Sequence, residues 1–155
     1  MQAFAAGYAI GALKSIGDSD LKSKDAIRAV VLAGGSQMLA VYALVRAILV
    51  AEILEGSSAL ALLATECLAV ITTKWVAHDP FADTQALAAL VDAPYVASSI
   101  NFKNSRHAGL RSYEDGHVKE GVGAGGALVL ATLLADVDTN KIIETIDLFY
   151  DQMIG

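Results

Sequence analysis

The residues best equipped for chemistry lie close together, between Asn101 and Glu120. The first part of this segment, Asn101-Phe-Lys-Asn-Ser-Arg-His-Ala-Gly-Leu-Arg-Ser112, carries Lys103, Arg106, His107 and Arg111 and no acid. Phe102 and Tyr113 interleave with these cations. Arginine holds carboxylates and phosphates through paired N–H donors, and aromatic rings set among cations stack on bases. One expectation is therefore ligand binding by Lys103, Arg106, His107, Arg111 and Tyr113. The ligand would be an anionic small molecule bearing phosphate or carboxylate, or a single-stranded nucleic acid. A segment this long without regular structure is uncommon in a compact domain and is often functional. The weightier expectation is plainer: a surface loop whose cations pair with Glu114, Asp115 and the acids of the last helix.

The second part, Glu114-Asp-Gly-His117 followed by Glu120, places carboxylate and imidazole three residues apart. On a helix such a pair can share a metal, as in di-iron bundles. Here the pair occurs once, Gly116 interrupts it, and a metal site needs three or four protein ligands. Glu114, His117 and Glu120 are weak metal candidates, which His78, Asp79 or His107 could complete only if the fold brought them together. No metal and no cofactor is assigned. Ser105, Ser112 and Cys67 could pair with His107 or His117, but no nucleophile elbow is present, and no catalytic residue is assigned. Cys67 stands in an apolar run and reads as a buried, inert thiol.

A further candidate is Ala29-Val-Val-Leu-Ala-Gly-Gly35-Ser36. Nucleotide sites can open with a strand, a glycine pair and a helix whose N-terminus holds phosphate. Over these eight residues the chain resembles the opening of sugar-nucleotide transferases. That resemblance implies a basic residue and more glycines just downstream. Gln37, Met38 and Leu39 follow instead, and no lysine comes before Lys74, so a break between helices is expected here.

The elements that must carry these residues read mostly as helices. Met1 to Ile16 has Phe4, Tyr8 and Leu13 at helical spacing, with Gly7 and Gly11 one turn apart. Ser23 or Asp25 can cap a following helix, and Gln37 to Leu54 has Met38, Tyr42, Val45 and Leu49 along one stripe. Gly56-Ser57-Ser58 separates it from an apolar helix over Ala59 to Val76, locally β-prone at Val70 to Thr73. Asp83 or Thr84 can cap a short helix from Gln85 to Val91. Tyr95 to Ile100 is extended or a single strand. Gly121 to Leu134 is a small-residue helix, and Ile142, Ile146, Phe149 and Tyr150 share a face of the last one.

Composition limits what these elements can build. The 155 residues suit one domain, and 55% hydrophobic with 18% charged residues excludes a disordered chain. The net charge of −6 argues against wrapping nucleic acid, although the basic stretch is a local exception. A single cysteine excludes an internal disulfide. The mean hydropathy of +0.51 is high, yet glycines and charges interrupt every long apolar stretch, so a membrane span is not expected. Without a secretory signal at the N-terminus, a cytoplasmic location is the default. The fold expected is all-α, a compact bundle of five to six helices with room for one short β element near residues 95–102, in one helical domain spanning residues 1–155. The apolar surplus and the Gly7/Gly11 and Gly121/Gly125 faces suggest a non-enzymatic subunit that self-associates into a homo-oligomer.

Overall fold

In the computed structural model the chain is described over residues 1–18, 28–54, 59–117, 122–135 and 137–154. Its centre is a three-stranded parallel sheet of β1 (Val30–Ala33), β2 (Leu68–Thr73) and β3 (Tyr95–Ser98), in that order. Val31 lies opposite Ala69, and Thr73 opposite Ser98. Around the sheet are α1 (Gln2–Asp18), α2 (Ser36–Leu54), α3 (Ala59–Cys67), α4 (Lys74–Ala77), α5 (Thr84–Leu90), α6 (Ala108–Arg111), α7 (Ala124–Ala135) and α8 (Thr139–Ile154).

The fold is mixed α/β, and this overturns the all-α bundle. The β element near residues 95–102 exists as β3, but it is the third strand of a sheet. Strands buried on both faces lose the polar/apolar alternation that marks a strand and read as plain apolar runs. β1 is Val-Val-Leu-Ala and β2 is Leu-Ala-Val-Ile-Thr-Thr. The helix expected over Ala59 to Val76 is three elements: α3 passes into β2, and α4 follows at once. Gly34-Gly35 is likewise no break between helices but the turn from β1 into α2.

The sheet divides the molecule into layers. Leu32 of β1, with Leu68 and Val70 of β2, faces a core built with α1, α2, α3 and α5. Leu13, Leu39, Tyr42, Val45 and Leu49 are its large buried members. Val31 and Ala33 point to the opposite face, where α7 crosses all three strands. A Cβ on Gly125 would collide with the backbone carbonyl of Thr72, and one on Gly126 would come within 2.6 Å of the Ala33 Cβ. Glycine at both positions lets α7 lie directly on the strand ends. A Cβ on Gly7 or Gly11 would meet nothing within 4 Å, so that face of α1 is open.

Asp83 caps α5 as expected, its Oδ1 accepting from Ala86 N at 3.0 Å. The expected caps at Ser23 and Asp25, the Gly56-Ser57-Ser58 break and Gly121 lie outside the described residues. Among those described, α2 alone is long and apolar enough to cross a membrane by length and composition. Here its stripe of Leu39, Tyr42, Val45 and Leu49 belongs to the core beneath the sheet.

Candidate functional site

In a parallel sheet all strands end on the same side, and ligands of open α/β sheets bind outside those carboxyl ends. Gly34 N donates to Ile71 O at 2.9 Å, which extends the ladder one step beyond β1. Gly35 then caps α2, its carbonyl accepting from Met38 N at 2.9 Å and Leu39 N at 3.1 Å. No carboxylate occupies the first turn of α2, and Ser36 and Gln37 are exposed.

α7 opens at the same place. Gly125 and Gly126 seat its first turn on Thr72 and Ala33. A Cβ on Gly123 would stand 3.6 Å from Ala33 O, and one on Gly35 would stand 3.5 Å from Val122 Cγ1. The N-termini of α2 and α7 therefore both begin beside the end of β1, and the first turn of α7 also lacks acids.

Four buried side-chain polar atoms among the described residues have no hydrogen-bond partner: Thr72 Oγ1, Thr73 Oγ1, Ser98 Oγ and Trp75 Nε1. All belong to the carboxyl ends of β2 and β3 or the residues just after them. Buried polar groups are otherwise nearly always paired, so such a cluster marks a place where the fold tolerates a cost.

Beyond β2, Lys74 Nζ meets Glu114 Oε2 at 2.6 Å. Glu114 Oε1 accepts from Phe102 N at 2.9 Å, and its side chain is 6% exposed. This carboxylate ties the segment after β3 to the end of β2. The rings of Trp75, Phe102 and Tyr113 cluster above it, with centroids 5.0 to 6.0 Å apart. Trp75 and Tyr113 border an open cleft of about 370 Å³, shared with Lys74, His78, Asp79 and Glu114. The same two rings, with Phe102, Leu110, Leu128 and Ile146, line an apolar cavity of about 400 Å³.

The basic stretch is drawn elsewhere, onto α8. Arg106 pairs with Asp151. His107 Nε2 lies 3.0 Å from Asp151 Oδ1, and its ring packs on Tyr150 at 4.5 Å. Ser105 Oγ donates to Asp147 Oδ1 at 2.5 Å, and Arg106 N donates to Oδ2 at 3.3 Å. The Ser105 hydroxyl, more than any other neighbour, holds the Asp147 carboxyl below the usual carboxylate range. Arg111 Nη1 donates to Ser105 O at 2.6 Å, and Lys103 is exposed.

The structure thus brings Arg106, His107 and Arg111 around Ser105, but Tyr113 sits apart in the aromatic cluster, and Lys103 joins neither group. Of the weak metal candidates, Glu114 is held by Lys74 and Phe102 N, His117 is exposed, and Glu120 lies outside the described residues. His78 contacts Gln85 instead, Nδ1 to Nε2 at 3.3 Å. No group of three or more His, Cys, Asp or Glu side chains placed to hold a metal occurs among the described residues. Cys67 is half-buried rather than buried. Sequence reasoning missed Lys74, Trp75 and the hydroxyls of Thr72, Thr73 and Ser98. The β-branched run Val70 to Thr73, directly before Lys74, was the available signal.

No protein-family model matches the chain. It is 40% identical over 152 residues to a UPF0284 protein of Cyanothece sp., a match covering 98% of this chain and 36% of that one. A UPF0284 protein of Gloeobacter violaceus is 47% identical over 124 residues, or 79% of this chain and 31% of that one. One from Gloeothece citriformis is 38% identical over 155 residues, or 99% and 37%. The chain spans about a third of the length of the curated relatives it matches. Their names state no activity.

Proposed function

We propose that the carboxyl edge of the sheet binds a small anionic molecule, bearing phosphate or carboxylate, between the N-termini of α2 and α7. The observation that carries this reading is the gathering of the partnerless buried hydroxyls of Thr72, Thr73 and Ser98 at that edge. The first N–H groups of a helix have no partner within it, and the helix dipole puts about half a positive charge there. Two such ends side by side, opened by glycines and free of acids, suit an anion without any lysine. Arg106 and His107 of the 101–112 loop pair with Asp151 of α8, which leaves them less suited to an outside anion.

Thermal unfolding in rising inorganic phosphate tests this. At a hundred times the dissociation constant, binding raises the midpoint by roughly 5–10 °C. Ser36→Asp keeps a residue that favours a helix start but puts a negative charge in the site. It abolishes the shift while leaving the phosphate-free midpoint close to wild type. An unchanged shift in that variant, or no shift in wild type with phosphate or with a panel of phosphate esters and carboxylates, overturns the reading.

A second reading, self-association, is favoured by the open face of α1. Gly7 and Gly11 are uncovered there, and Phe4 and Tyr8 are 80% and 77% exposed. Sedimentation equilibrium then finds a dimer that Gly7→Glu dissociates. A dilute, stable monomer removes this reading.

A further inference from the structure

Of the 16 residues of α8, only Asp147 is buried. Its Oδ1 accepts from Ser105 Oγ at 2.5 Å and its Oδ2 from Arg106 N at 3.3 Å. One turn further along, Asp151 meets Arg106 and His107. Tyr150 lies between these acids on the helix, its ring on His107 and its hydroxyl 3.1 Å from where a Cβ on Gly109 would stand. The C-terminal half of α8 is therefore fastened to the 105–109 segment through polar groups.

The apolar side of α8 is docked more loosely. Of the four residues expected on one face, Ile142, Ile146 and Tyr150 turn toward the domain and are half-buried, whereas Phe149 is 62% exposed. Ile142 stands over a gap of about 20 Å³ beside Ser98, Leu128 and Thr132. Ile146 forms one wall of the apolar cavity of about 400 Å³ that Trp75 and Phe102 also line. Side chains that face a gap forfeit the dispersion contacts of a filled interface. Among the described residues, the core beneath the sheet includes none from α8.

We propose that α8 is a latched cover over the cavity lined by Trp75 and Phe102. Asp147 and Asp151 hold it shut on the 105–107 segment, and it swings off while the rest of the fold stands. Elements with few buried apolar contacts open at a lower free energy than the whole domain unfolds. A helix whose one buried side chain is a carboxylate is such an element, because breaking the polar contacts releases most of what fastens it. Opening takes the Ile146 wall away and lets solvent and small molecules reach Trp75 and Phe102 from that side. Access to the cavity is then set by the strength of a polar latch.

Amide hydrogen exchange in the native state tests this. The amides of residues 143–151 exchange through one shared opening, at least about tenfold faster than those of residues 42–49 in α2 after correction for intrinsic rates. Leu49→Ala weakens the core beneath the sheet and speeds the α2 amides at least about tenfold. It leaves the α8 amides unchanged, because α8 opens without the core. Equal protection of the two helices, or parallel acceleration of both by Leu49→Ala, overturns the proposal. A second variant, Asp147→Lys with Asp151→Lys, sets like charges against Arg106 and holds the cover open. Acrylamide quenching of Trp75, the one tryptophan of the chain, then rises while a cooperative unfolding transition is retained. Unchanged quenching, or loss of the whole fold in this variant, overturns the proposal as well.

Discussion

Ser105 shows how one side chain governs a contact between distant segments. Its hydroxyl donates to Asp147, 42 residues away, and its carbonyl accepts from Arg111. Ser105→Ala leaves a buried carboxylate oxygen without its strongest donor. The expected loss is about 1.5–3 kcal/mol in urea unfolding at neutral pH, the range for hydrogen bonds to charged groups. The pH dependence has a definite sign. Asp147 is held below its ordinary value when folded, so its stabilisation is complete above the unfolded carboxylate value of about 3.9 and is lost as pH falls through the depressed one. The gap between wild type and Ser105→Ala is therefore constant from about pH 5 upward and closes at lower pH. A gap that stays the same down to the acid transition contradicts this assignment.

At the scale of elements, glycine decides how close α7 comes to the sheet. Gly125→Ala forces the helix off the Thr72 carbonyl and costs about 1–3 kcal/mol, as overpacking of a tight contact does. Gly7→Ala, on the open face of α1, gains helix propensity instead and stabilises by about 0.5–1 kcal/mol. Chemical denaturation of the two variants checks both signs. Helices were legible from the sequence because their stripes repeat: the Tyr42, Val45 and Leu49 series of α2 and the Asp83 cap of α5 both stand as expected. The strands were legible only singly. The Val70 to Thr73 run and the Tyr95 to Ile100 segment each looked extended, and Ala29 to Ser36 had the outline of strand, glycines and helix. Nothing local reveals that three such runs pair, because parallel pairing joins residues far apart in sequence and leaves no alternation to read.

For the whole molecule, the parallel sheet moves attention from a charged loop to a backbone edge. The charge pattern of residues 101–120 was visible at once; Arg106 and His107 meet Asp151 of α8, whereas Glu114 pairs with Lys74 and not with the loop's own cations. The strand edge beside the N-termini of α2 and α7 has no acid in either first turn among the described residues and could not be found by charge. It depends on backbone N–H groups and on hydroxyls at strand ends, which gain meaning only once the strands are aligned. Lys74, Trp75 and Glu114 stand nearby, drawn together from segments 40 residues apart. The proposed function requires an anion held by the backbone at the N-termini of α2 and α7. The most direct test follows the backbone amide resonances while inorganic phosphate is titrated in. The amides of Gly35, Ser36, Gln37, Gly123 and Ala124 shift together and saturate with one dissociation constant. Shifts centred on Lys103, Arg106 and Arg111, or no saturable shift at all, contradict it.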